Sequence, residues 1–166
     1  MTQGDVFSVV AAIFGIFLTA WASVVAIALL CPGAVDKARL AVAAPGRAIF
    51  HGLAILLTLG LLGVVLLVNP LPLLKLVGWV VTLALLACAS VGLSGISQAA
   101  GRRIQDLDPM MPAYPAMVRG AAYVVGATIL PVLGWFAFGP LLLLASIGAG
   151  WKAVVFVPGR ALVEER

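Results

Sequence analysis

Charge is what this sequence has least of. Of its 166 residues only 10% are Asp, Glu, Lys or Arg, against about 25% in soluble proteins. It has two cysteines and one histidine. So little charge excludes an acidic disordered tail, and two thiols exclude a disulfide-stapled secreted module. What is present is apolar: 64% of the residues are hydrophobic even without glycine. A soluble domain reaches roughly 45–50% with glycine included. A globule this small cannot hide that much apolar surface from water. The composition therefore excludes a soluble enzyme and selects an integral membrane protein.

The apolar residues come in long uncharged runs, which predicts an all-α polytopic helix bundle. A helix needs about 20 apolar residues to cross hydrocarbon about 30 Å thick. Residues 7–30, 50–68 and 76–97 meet this, punctuated by Pro32-Gly33, Asn69-Pro70 and Gly101-Arg102-Arg103. The first run lacks a basic leader segment, since Asp5 is the sole charge before it. It is also longer than a signal-peptide core, so it reads as a retained anchor. After Arg119 a stretch reaches Val157 with Lys152 as its one charge. It is too long for one span and right for two short ones, 120–138 and 141–157. Pro131, Gly134, Gly139 and Pro140 are the expected hairpin turn, because proline removes a donor and glycine permits a bend. The pair is either fully spanning or re-entrant.

Charge tests the count. With five helices Lys37, Arg39, Arg47, Arg102, Arg103, Arg119, Lys152, Arg160 and Arg166 share one side and Lys75 alone faces the other. With four, Lys152, Arg160 and Arg166 change sides. The first split is the stronger positive-inside bias. It predicts an N-terminus outside and a C-terminus in the cytoplasm of a bacterial inner membrane. Those cations, Lys152 included by snorkelling, are the expected contacts to anionic lipid headgroups, and no nucleic acid partner is implied. Trp79 and Trp151 lie near span ends as an aromatic belt requires, while Trp21 lies deeper.

Two connections are too polar to span and too apolar to be free loops. Residues 33–49 carry Lys37, Arg39 and Arg47 among Val35, Leu40 and Val42; an interfacial cytoplasmic helix fits them, with a solvated linker as the alternative. Residues 101–119 place Ile104, Leu107, Met110 and Met111 at roughly helical spacing, broken by Pro109, Pro112 and Pro115. Such a segment packs on its own bundle or on a partner.

Chemistry-bearing residues are sparse. His51, at the cytoplasmic start of the second run, is the one weak cofactor candidate; a bis-histidine haem would need a second histidine. Asp106 and Asp108 suit pairing with Arg102, Arg103 or Arg119 better than a metal, since further acidic ligands are lacking nearby. Cys31 and Cys88 read as packing residues. No cofactor and no catalytic residue is read. Gly60 and Gly63, Gly92 and Gly95, Gly148 and Gly150 let helices approach closely, within the chain or in an oligomeric seam.

The order of punctuation carries a resemblance. A proline-ended first helix leads to Pro45-Gly46-Arg47 and Gly52-Leu53. Gly101-Arg102-Arg103 follows a long apolar run. Leu130-Pro131-Val132-Leu133-Gly134-Trp135 precedes Gly148-Ala149-Gly150 in the closing helix. From about Ala20 to Val157 this resembles the membrane region that follows a bactofilin-type, polymer-forming cytoskeletal domain in some bacterial proteins. The β-helical domain itself is missing from this chain. The resemblance implies membrane anchoring or scaffolding and transfers no site residue. The expectation is an anchor, scaffold or accessory subunit of a larger membrane assembly. An accessory subunit of a pigment, haem or quinone complex and a small-solute channel or transporter are the alternatives.

Overall fold

The structure is a computed structural model that describes residues 3–130 and 132–155, with side chains from Val6 onward. Pro131, Arg160, Arg166 and the expected end of the last run at Val157 lie outside the described residues.

The described chain is helical: α1 Gln3–Leu30, α2 Pro32–Val42, α3 Pro45–Ile55, α4 Leu61–Val68, α5 Pro72–Leu107, α6 Ala113–Ile129 and α7 Gly139–Val155. One π-helical turn, Leu56–Gly60, joins α3 to α4 in a continuous rod, and another, Gly134–Phe138, leads into α7. Pro32, Pro45 and Pro72 open their helices, where the missing N–H has no partner to lose and φ is already set. Four rods are long and apolar enough to cross a membrane: Val6–Leu30, Pro45–Val68, Pro72–Leu107 and Gly134–Val155.

Several boundaries differ from the sequence reading, for local reasons. The helix expected over 76–97 runs on to Leu107 as the 36-residue α5. Gly101-Arg102-Arg103 does not stop it, because Arg is a good helix former and Gly101 is a contact point. A Cβ there would meet Met117 Cα and Ala116 O at 2.8 Å. The expected interfacial segment 101–119 is therefore two helix ends around a short connection at 108–112, and Pro115 falls in the first turn of α6, where proline is tolerated. Met110 is 91% exposed rather than packed on the bundle.

The expected interfacial segment 33–49 is likewise divided. α2 ends at Val42 and residues 45–49 are the first turn of α3. α2 is not merely peripheral: Val35 and Ala38 are fully buried. Ala38 meets Gly95 so closely that a Cβ on Gly95 would lie 2.7 Å from the alanine Cβ.

The fold-back also moves. The helix expected over 120–138 is α6, which ends at Ile129, and the next helical turn begins by Gly134. Gly134 lies against the end of α6: a Cβ there would lie 2.6 Å from both Ala127 O and Thr128 O. Gly139 and Pro140 open α7, because the π turn ahead of them shifts the hydrogen-bond register. The Gly139 N–H reaches back to Gly134 O, and Pro140, with no N–H, sits where the register already changes.

Packing is concentrated around α7. Its residues Ala145 to Gly150 are buried without a break, because glycines admit the neighbouring backbones. A Cβ on Gly148 would fall on Ala48 O and lie 2.8 Å from Gly52 N. Gly52 faces Leu144 in the same way, Gly92 faces Ser146 and Gly150 faces Cys88. α7 is thus wedged between α3 and α5, and Ala149 and Ala153 pack on Ala38 of α2. α6 runs antiparallel beside the C-terminal half of α5, with Gly120 on Ser97 and Gly101. It ends level with the middle of α5, where Thr128 shares a hollow with Leu86, Ser90, Gly139 and Leu143.

α1 joins this assembly through its second half. Val24 packs with Ala121 and Val125, supported by Phe17, Trp21 and Leu93. The Trp21 Nε1–H donates to Val118 O at 3.0 Å. The buried Ser94 hydroxyl lies 3.0 Å from Val24 O and 2.9 Å from Ser90 O. From Val6 to Ile16, by contrast, every residue of α1 is exposed. α4 packs on the N-terminal part of α5, where Gly63 meets Thr82 and Val81 and Gly78 meets Leu66 and Leu67.

Candidate functional site

Among the described residues, Arg39, Arg102 and Arg103 lie where α2 and α6 cross α5. Gly95 and Gly101 on α5 are the levels at which α2 and α6 cross. Arg39 and Arg103 line one cleft of about 550 Å³ with Pro45 and Ile96, and Arg102 lines a second. Lys37 and Lys152 are half-buried, and Arg47, Arg102, Arg103 and Arg119 are exposed. Lys75 stands apart, in the first turns of α5.

These cations are lightly partnered. Arg39 Nε lies 3.7 Å from Asp36 Oδ1, one turn away on α2. That atom is buried and makes no hydrogen bond. Arg119 Nη1 approaches Met111 Sδ at 3.7 Å. The pairing expected of Asp106 and Asp108 with Arg102, Arg103 or Arg119 does not form. Among the described residues the ion pair is Asp36–Arg39. The reason is placement: both aspartates are exposed, and an exposed pair gains too little to fix two side chains.

His51 is exposed on the second turn of α3. Its Nδ1–H donates to Arg47 O at 2.6 Å, and Phe50 stands edge-on to it with ring centroids 6.3 Å apart. Among the described residues no three His, Cys, Asp or Glu side chains come together.

The polar site that the structure does assemble was not singled out from the sequence. It lies between α1, α5 and α6, a cleft of about 350 Å³ lined by Leu29, Gln98, Arg102, Gln105, Asp106 and Tyr114 among others. The Gln105 Nε2–H donates to Met111 O at 3.1 Å, tying the end of α5 to the connection that follows. Gln98 Oε1 is buried without a donor, and the fully buried Ser97 Oγ one residue earlier also lacks a partner. The signal was present: Ser94, Gln98, Arg102, Gln105 and Asp106 recur at spacings of three and four, one face of a helix. It was hidden by the expectation that the helix stops before Arg102.

Trp21, read as a deep tryptophan, is the donor that fastens α1 to α6. Trp79 and Trp135 are 59% and 69% exposed, and Trp151 is half-buried.

Compared with protein families, with curated proteins and with solved structures, the chain matches none at a significant level.

Proposed function

We propose that this chain is a non-catalytic integral protein of a bacterial inner membrane and acts as an anchor, scaffold or accessory subunit of a larger membrane assembly. Its N-terminus lies outside and its C-terminus in the cytoplasm. Three rods span, and α6 with the rod 134–155 forms the closing hairpin, re-entrant from the cytoplasmic side. The 17 residues of α6 cover about 25 Å, less than the hydrocarbon thickness. The bend also lies beside the middle of α5. This arrangement keeps the cationic end of the bundle cytoplasmic, as the positive-inside rule asks.

One observation carries the scaffold reading. The first half of α1, Val6 to Ile16, is exposed along its whole length, while its second half is packed and hydrogen-bonded. A half-helix built so differently from its continuation is a surface offered to another membrane helix. The likeness of the chain's punctuation to a bactofilin-associated membrane region points the same way. The test is purification in mild detergent followed by native mass spectrometry. The expected result is a discrete complex, with itself or with another membrane protein, that Gly15→Leu weakens. A bare monomer under every mild condition rejects the reading.

A second reading has its own observation. Broken helices that meet inside the bilayer line pathways in channels and transporters, and the bend at Gly134 with its π turn is such a break. Flux through proteoliposomes that Gly134→Val abolishes would favour a small-solute pathway. Flux no greater than in empty liposomes removes it.

A further inference from the structure

Two hollows on the α1–α6 side of the bundle meet. The first is the polar cleft of about 350 Å³ that holds Gln98, Arg102, Gln105 and Asp106. The second is an apolar groove of about 290 Å³ lined by Trp21, Val25, Leu29, Tyr114 and Val118 among others. Leu29 and Tyr114 line both. Together they make one elongated seat with a polar head and an oily tail. That division selects an amphiphile.

The polar part selects the headgroup. It offers one cation, Arg102, and one carboxylate, Asp106, both exposed. Arg102 and Asp106 are one helical turn apart, about 5.4 Å along the axis, yet they form no ion pair with each other. Their order, cation before anion, is the weaker one for a helical pair. A headgroup bearing both a phosphate and a primary ammonium satisfies both groups. Its phosphate meets the Arg102 guanidinium, and its N–H donors meet the Asp106 carboxylate. An anionic glycerol head leaves Asp106 facing like charge. A trimethylated ammonium has no N–H to donate to the Asp106 carboxylate.

We propose that this cleft is a binding site for a single aminophospholipid of the phosphatidylethanolamine class, with one acyl chain lying in the groove against Trp21. The site does not rest on the scaffold reading, since lipid can be held whether or not a protein partner docks elsewhere.

Trp21 reports on it directly. It is fixed at the groove by its hydrogen bond to Val118 O, and bromine on an acyl chain quenches tryptophan on contact. The experiment uses the full chain with Trp79→Phe, Trp135→Phe and Trp151→Phe, reconstituted in vesicles of mixed phosphatidylethanolamine, phosphatidylcholine and phosphatidylglycerol. One lipid class is brominated at a time. Half-maximal quenching is expected at about tenfold lower mole fraction for the ethanolamine lipid than for the others, the effect of one charge-assisted contact. Arg102→Gln and the exposed Asp106→Asn should each remove most of that preference while the helical circular dichroism stays unchanged. Equal quenching by the three classes overturns the proposal, as does strongest quenching by the glycerol lipid or a preference that survives both substitutions. A vesicle-bound, folded protein showing no preference would sink the site and leave the scaffold reading standing.

Discussion

The bundle is made of two unlike halves. Around α7 the chain packs backbone against backbone: Ala145 to Gly150 are buried in sequence, and Gly52, Gly92, Gly148 and Gly150 sit where any side chain would strike the next helix. On the outward sides of the N-terminal part of α5 and along the first half of α1 the residues are larger and more apolar, yet they are exposed. Phe7 is 76% exposed, Leu73 80%, Leu76 63% and Leu83 58%. The oilier half is the less packed half. In water that would be a paradox, but hydrocarbon is as apolar as leucine and gives no drive to bury it. Close approach through small residues does the holding, together with a few inter-helix hydrogen bonds.

The comparison is broken most severely at α7. Gly148→Leu places a side chain on Ala48 O, with Gly52 N 2.8 Å from its Cβ. Those neighbours are backbone, so no rotamer change relieves the clash and α3 must separate from α7. The expected loss exceeds about 3 kcal/mol, the scale of severe overpacking. In detergent it should appear as loss of the monodisperse species or a large drop in Tm. A Gly148→Leu protein as stable as the parent would mean that the α3–α7 crossing is not formed.

Ser94→Ala is the next step down. It removes the buried hydroxyl near Val24 O and leaves that carbonyl, already engaged within α1, without its cross-helix donor. Such bonds in membranes average about 0.6 kcal/mol and reach about 1.7. Thermal unfolding in detergent should show a modest loss, and α1 should become more accessible to proteolysis or labelling while α7 does not.

Trp21→Phe keeps most of the ring and the stack on Phe17, whose plane is 7° from that of Trp21, but loses the donor to Val118 O. A loss of about 0.6 kcal/mol is expected, measured as a Tm shift smaller than that of Ser94→Ala. Combined with Ser94→Ala it should be sub-additive if both bonds hold the same half of α1 in place.

How much of this was legible follows from which signals are local. Pro32 marks a break because proline acts on its own backbone, while α3 and α5 start at Pro45 and Pro72, ahead of the runs expected from 50 and 76. The apolar rods follow from run length. The course of α5 past Gly101 was not legible, because a glycine and two arginines look like a stop unless α6 is known to lie on them. Nor was the place of Gly139-Pro140, since a π turn that absorbs a proline leaves no mark in composition. How closely α2 seats on α5 was not legible, because hydropathy gives Ala38 and Gly95 almost no weight, although their smallness is what brings the helices together. The Gln98 cleft needed both corrections at once: a longer α5 and an earlier α6.

The smallest effect is expected in the open half, and it sharpens the comparison most. A Cβ on Gly15 would meet nothing within 4 Å, and Ala12, Ile16, Thr19 and Ala20 surround it in a shallow groove. Gly15→Leu should therefore leave the stability of the isolated chain within about 0.5 kcal/mol of the parent, or raise it slightly because glycine is a poor helix former. The same substitution fills a groove that a partner helix would need. If the open half is where another subunit docks, Gly15→Leu changes the mass of the complex in mild detergent without changing the Tm of the monomer. If it lowers that Tm by as much as Ser94→Ala does, the first half of α1 is packed after all, and the contrast between the two halves is lost.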